Sequence, residues 1–372
     1  VGELMAITVF KNDGNKFSKM SNTGLENYLG WWNSIVSGDF DQDGDTDFIV
    51  GNLGENNPHH PTKEQPVKIY AKDFDGNGSM DPVTFAYYKD RAGVYNSYPS
   101  HFWDDLYGQS TLFRRKYERY KAFALSTEND LFTPEEKEGA IILEGNYDKS
   151  AFVRNNGDGT FELVRLPTPA QIAPVNGLLT EDVNGDGFLD VLLVGNDYGN
   201  EIFTGGLDAL VGLVLLGEGA GNFSSVKPNE SGFLVSGDAK ALVKLASAQG
   251  NSLLIASQNR DSLRVFRKTE TSGIARSITP PVSAMALEIE FENGRKQRFE
   301  TSLGSGFLSQ SSREIPLPSN LKSITLIGYN GERTPVELNT LDCFLTSFLR
   351  SSPLTHQLDN QKATANLDDR LS

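Results

Sequence analysis

The chain has 372 residues, 38% hydrophobic and 22% charged, which supports a packed core and excludes global disorder. Its 34 basic and 49 acidic residues give a net charge of −15, which argues against a nucleic-acid binder and for cation binding. With 36 glycines and 16 prolines, the composition predicts turn-rich β structure rather than a helical bundle.

The length predicts two domains, or a repeat array plus a small module. A single cysteine, Cys343, excludes an intrachain disulfide and four-cysteine metal sites. No apolar run reaches the ~18 residues of a membrane-spanning helix. The chain opens at Val1 with neither an initiator Met nor a basic-then-apolar signal segment. The expectation is a removed leader, or a piece of something longer.

The first element is a glycine turn ending in Phe, Asn12-Asp-Gly-Asn-Lys-Phe17. Trp31 and Trp32 follow and read as core. Next comes an acidic nonapeptide, Asp39-Phe-Asp41-Gln-Asp43-Gly44-Asp45-Thr-Asp47, running into the apolar stretch Phe48–Val50. The pattern recurs as Asp73-Phe-Asp75-Gly-Asn77-Gly78-Ser79-Met-Asp81 and as Asp182-Val-Asn184-Gly-Asp186-Gly187-Phe188-Leu-Asp190. Oxygen side chains fall at positions 1, 3, 5 and 9, with glycine at 6 and a main-chain carbonyl on offer at 7. Hard cations such as Ca²⁺ take six to eight oxygen ligands, which alternate carboxylates on a tight loop supply. An EF-hand would carry Glu at position 12, where this chain has Val50, Thr84 and Leu193. The apolar runs after the first and third loops read as buried strands, so the loops sit between strands, not helices.

Between the second and third loops, Phe85–Tyr107 carries eight aromatics: Phe85, Tyr87, Tyr88, Tyr95, Tyr98, Phe102, Trp103 and Tyr107. They read either as core or as a stacking platform for sugar rings or a partner chain. Gln109–Leu125 predicts an amphipathic helix, with Phe113, Tyr117, Tyr120 and Ala124 on one face. Further glycine turns end at Phe161 and Phe223. Leu245–Asn259 aligns without a gap on Asp182–Asn196, but its matched positions are Leu245, Ser247, Gln249 and Leu253. That unit predicts strands without metal. Units of this kind predict propeller blades, about four in all.

After a linker at Thr279-Pro280-Pro281, Asn293-Gly294 and Asn330-Gly331 each join alternating runs, the strongest short-range hairpin signal. Residues 282–340 therefore read as a separate β module, with Gly304, Ser305 and Gly306 marking a bend. Residues 341–372 lack periodicity and read as a poorly ordered tail.

The stretches GDFDQDGDTDFIVGN and EDVNGDGFLDVLLVGN resemble VCBS/FG-GAP repeats of the integrin-like propeller. The module containing LGSGFLSQSSREIPL is similar to the ASPIC/UnbV domain. Together they resemble large exported bacterial proteins of the Bacteroidetes type. The resemblance implies a carboxy-terminal part of such a protein: a partial all-β propeller (residues 1–275) with one helical insertion, then a small antiparallel module. It also implies up to three structural calcium ions, an extracytoplasmic place at the cell surface or secreted, and no catalytic residues. The metal-site expectation covers Asp39, Asp41, Asp43, Asp45 and Asp47; Asp73, Asp75, Asn77, Ser79 and Asp81; and Asp182, Asn184, Asp186, Phe188 and Asp190. The expected role is a non-enzymatic surface protein binding a glycan or another protein, with self-association through an edge left by missing blades. The alternative is a carbohydrate-active lyase or hydrolase on the propeller, using His101 with Tyr98 or Tyr107. His59 and His60 lack a partner at zinc-ligand spacing and read as a polar loop.

Overall fold

A computed structural model describes residues 1–200, 204–246, 252–267, 274–306, 308–318 and 320–338. Antiparallel sheets dominate. In the first blade, Ser34–Gly38, Asp47–Gly51, Ala151–Asn155 and Phe161–Arg165 lie side by side. The second blade repeats this with Val175–Glu181, Asp190–Gly195, Leu213–Gly217 and Phe223–Val226. The third has Ala239–Ala246, Ser252–Gln258 and Arg264–Arg267. The chain is thus mostly β, a partial propeller built of repeated blades.

The central strands explain the apolar runs. Every residue of Asp190–Gly195 is buried, because neighbouring blades cover both faces of its sheet. Phe40, Ile49, Phe152, Val175, Leu193 and Leu215 join the first blade to the second in one cluster. Leu179, Leu192, Val214, Phe233 and Leu242 continue it toward the third.

Each acidic loop joins two paired strands. Gly38 pairs with Asp47, Lys72 with Asp81, and Glu181 with Asp190. The glycine turns before Phe17, Phe161 and Phe223 each close a hairpin. A blade therefore runs strand, acidic loop, strand, strand, glycine turn, strand. The glycine turn closes a blade rather than opening the next.

The second acidic loop belongs to an insertion. The strands Asp47–Gly51 and Ala151–Asn155 are direct partners, and everything between them leaves the first blade and returns. The inserted segment forms its own sheet, in which Val67–Lys72 lies between Ile141–Gly145 and Asp81–Lys89, with Tyr95–Pro99 beyond. The helix expected over Gln109–Leu125 is not one helix. Two short helices, Thr111–Lys116 and Tyr120–Phe123, occupy this stretch, flanked by Trp103–Gln109, Glu128–Leu131 and Pro134–Lys137. Extended backbone at Ser110 and Arg119 breaks the run, and the Ser110 hydroxyl caps the next turn. Phe113 and Tyr117 are buried as expected, whereas Tyr120 and Ala124 are exposed and Phe123 takes the inward place. These helices close over Val83, Phe85, Leu106, Leu131 and Phe132.

Beyond the blades, Ala284–Phe291, Lys296–Glu300, Leu321–Gly328 and Arg333–Val336 form a four-stranded sheet. Both Asn-Gly pairs make its hairpins. Pairing of Ile274–Ile278 with Ile315–Pro318 carries the module's contacts back past Thr279-Pro280-Pro281. In the third blade Leu245 pairs with Leu253, while Ser247 and Gln249 lie outside the described residues. Cys343, His356 and the rest of 341–372 also lie outside them. No helix among the described residues is long and apolar enough to cross a membrane.

Candidate metal centres

The three loops share a backbone plan that the sequence explains. Positions 4 and 6 both take positive φ: Gln42 and Gly44, Gly76 and Gly78, Gly185 and Gly187. Glycine adopts that region freely, while Gln42 does so at a cost of about 1 kcal/mol. Position 9 is buried in each loop and accepts the position-2 amide: Asp47 from Phe40 (3.1 Å), Asp81 from Phe74 (3.1 Å) and Asp190 from Val183 (2.7 Å). Two of these carboxylates also reach across the sheet. Asp47 accepts from Asn155 N–H at 2.8 Å, and Asp190 from Gly217 N–H at 2.9 Å. Each therefore ties its loop to the blade's third strand. Burial pushes Asp47 up to about 7 and Asp190 up to about 6, against these amide bonds.

The loops differ at their mouths. In the first, ligand atoms of Asp39, Asp41 and Asp43 lie within 4.8 Å of one another. Asp39 is 1% exposed, and neither of its carboxylate oxygens has a hydrogen-bond partner. The Gly44 and Arg298 amides favour its charge without closing such a bond, and burial pushes it up to about 6. A buried, unpartnered carboxylate is costly unless a cation meets it. Asp41 is also pushed up, by burial and then by Asp43, with Arg154 Nε 3.4 Å away in partial compensation. Asp45 N–H donates to Asp43 Oδ1 at 2.8 Å.

In the second loop Asp73, Asp75 and Asp81 also come within 4.8 Å. Their oxygens are already engaged. Asp73 accepts from the Gly76, Asn77 and Gly78 amides, and Asp75 from Thr111 N–H at 2.8 Å. Asn77 Oδ1 accepts from Ser79 N–H at 2.7 Å. In the third loop Asp182 accepts from Gly185 and Gly187, Asn184 donates to Asp186, and Asp186 accepts from Phe188 N–H. The donor set thus fits a hard cation best at the first loop, where three carboxylates are gathered and Asp39 keeps both oxygens unpaired.

Residues 2–50 match the FG-GAP-like repeat family, and residues 31–70 match the FG-GAP repeat. The chain carries FG-GAP repeats. The matched residues include the first acidic loop, whereas the second and third loops lie beyond them. No curated protein matches the chain.

Around the FG-GAP loops stand residues that the nonapeptide pattern does not reveal. Gln42 Nε2 donates to Gly187 O at 3.0 Å and so links the first loop to the third. Arg295, just after the Asn293-Gly294 turn, stacks 4.0 Å over Phe291 and 5.7 Å from Phe188. Its charge is felt with Asp182, Asp186 and Asp39. Thr46 Oγ1 donates to Glu300 at 2.7 Å, so the carboxy-terminal sheet sits against these loops. Only tertiary structure brings these groups in.

The aromatic stretch divides. Phe85 is core, while Tyr95, Phe102 and Tyr107 are exposed. Trp103 meets Tyr107 and Tyr120 edge-on at 5.4 and 5.3 Å, and Arg114 lies 4.7 Å over Tyr107. Trp32 is buried and donates to Met5 O, while Trp31 is half-buried. His101 is half-buried, and its Nε2 accepts from Thr84 N–H at 2.9 Å. A His–Tyr contact in this region joins His59 Nδ1 to Tyr88 Oη, at 3.1 Å.

Proposed function

We propose that the chain is a non-enzymatic, calcium-stabilised repeat protein of the cell exterior, presenting its loops to a glycan or protein partner. The observation that carries the metal is Asp39, buried with both oxygens unpaired beside Asp41 and Asp43. Asp39, Asp41 and Asp43 would hold the ion at the first loop, with the Asp45 main-chain carbonyl and Asp47 as the remaining candidates. Asp73, Asp75, Asn77 and Asp81, and Asp182, Asn184, Asp186 and Asp190, are the corresponding sets at the other loops. Bound calcium would supply charge compensation and no chemistry. The first loop fills first, because Asp39 spends neither oxygen on a loop amide, whereas Asp73 and Asp182 at the same position do.

Three features support the rest. The FG-GAP repeats favour an exterior setting. The exposed Phe102, Tyr107 and Tyr120 around Trp103 form a surface that a partner would cover. The order of blades followed by a small β module accords with an ASPIC/UnbV domain at residues 282–340. Titration calorimetry on metal-free protein tests this reading. It should show calcium uptake that Asp39→Asn weakens by about tenfold or more, with magnesium a poor substitute. Equal heats for both proteins, or no uptake, would refute it.

A further inference from the structure

A polar cavity of about 420 Å³ opens where the innermost strands of the blades begin and the inserted sheet faces them. Its volume falls in the small-molecule range of about 300–1,000 Å³. Two of its residues, Asn176 and Lys240, sit at β-bulges in their strands. Bulges re-aim side chains and recur beside functional sites. Asn33 precedes the corresponding strand of the first blade and lines the same space. The opposite wall carries His59, and Trp31 contributes an aromatic surface.

His59 is held by more than packing. Its Nδ1 meets Tyr88 Oη at 3.1 Å, and Tyr88 Oη meets the buried Ser100 Oγ at 3.0 Å. A Ser100–Tyr88–His59 chain fixes the ring of a residue that lines the cavity. Burial, followed by the charges of His60 and His101, holds the imidazole below its ordinary value, so it is neutral at neutral pH. The cavity's cation is already compensated, since Lys240 Nζ lies 2.7 Å from Asp238 and 3.8 Å from Asp197. An anionic ligand would find no free positive charge there and would meet a chain of net charge −15. Besides Glu3, Asp197 and Lys240, the polar lining consists of neutral donors and acceptors beside one aromatic face, the combination that hydroxyl-rich rings require.

We propose that this cavity binds a neutral saccharide, with His59, Asn33 and Lys240 hydrogen-bonding its hydroxyls and Trp31 against its ring. The site deepens the binding reading above and rests on it, while using none of the acidic loops.

Histidine-selective ring NMR reads the site directly, because the chain has four histidines. In calcium-saturated full-length protein, His59→Gln assigns the His59 signal by its disappearance. The probes are the methyl glycosides of glucose, galactose, mannose and xylose at millimolar concentration, and a glycan array. The expected result is that at least one glycoside shifts the His59 signal. His59→Gln and Asn33→Ala, each with unchanged melting temperature, should then weaken array binding about tenfold. Array binding that persists in both variants with no His59 shift overturns the cavity site and leaves the glycan-binding reading standing. No binding by any glycan overturns both.

Discussion

Asp39 shows at one residue what the acidic loops cost. Its carboxylate is out of water and unpaired, so in metal-free protein its charge opposes folding. Asp39→Asn should therefore have two opposite effects. It weakens calcium binding, and it leaves the metal-free protein equally stable or more stable by about 1–2 kcal/mol. Paired thermal melts with chelator and with calcium read both signs. The pH dependence follows from the same burial. Asp39, Asp47 and Asp190 have folded values of about 6, 7 and 6, against 3.8 unfolded. A raised carboxyl contributes stability that is fully present below about 3.8 and is lost as pH rises through about 6–7. Metal-free protein should lose melting temperature between pH 5 and pH 8, and saturating calcium should reverse the trend. His59, held low by burial, works in the opposite sense below about 6.5. Asp39→Asn isolates the carboxyl effect, since that variant should show a shallower loss. An unchanged slope would contradict the account. The oxygen spacing of this loop was legible in the sequence. The partners Arg154 and Arg295 were not, because they arrive from distant parts of the chain, and the reach of Gln42 to the third loop shows only in the fold.

At the scale of elements, position 9 works as a clamp between strands as well as a candidate ligand. Asp190→Ala leaves the Val183 and Gly217 amides without their acceptor, and should cost about 2–3 kcal/mol in calcium and in chelator alike. A loss seen only with calcium would make Asp190 a ligand and not a clamp. In the insertion, Glu128 gathers Tyr70 Oη at 2.7 Å, Lys137 Nζ at 2.9 Å and Ser97 Oγ at 3.0 Å. Burial alone would raise Glu128, but bonds from Tyr70 and Lys137 hold it below its ordinary 4.5. Its contribution is thus present above about 4.5 and is lost as pH falls through the lower folded value. Glu128→Ala should cost about 3 kcal/mol, read by chemical denaturation, because it strands a buried hydroxyl and a lysine. The hairpins were legible because turn chemistry and alternation are local. A helical insertion was legible from the long gap after Asp81, but its own sheet and its extent were not, because Asn52 N–H meets Ser150 Oγ across 98 residues of sequence. The broken helix was missed for a related reason. A helical spacing of aromatics marks which side chains face inward, and the Ser110 cap then divides the run.

For the whole molecule, several contacts among the described residues fasten the carboxy-terminal sheet to the blades. Thr46 reaches Glu300 beside the first loop, and Ser312 N–H donates to Lys244 O at 2.7 Å on the third blade. Arg295 brings a cation to the third loop, which has closed its own oxygens with amides. Arg295→Ala should loosen this contact, so that limited proteolysis releases the module faster while calcium uptake at the first loop is unchanged. Equal cleavage rates would show that Arg295 does not fasten it. Calcium at the first loop should in turn slow that cleavage, since Asp39 faces the Arg298 main chain of the same sheet. Calcium titration of the metal-free protein by calorimetry decides whether the carboxylates gathered around the unpaired Asp39 hold a cation. Binding with a matching rise in melting temperature, about 2.7 kcal/mol of stability at a hundredfold excess over Kd, is the predicted result. No heat of binding, with a melting temperature indifferent to chelator, would contradict it.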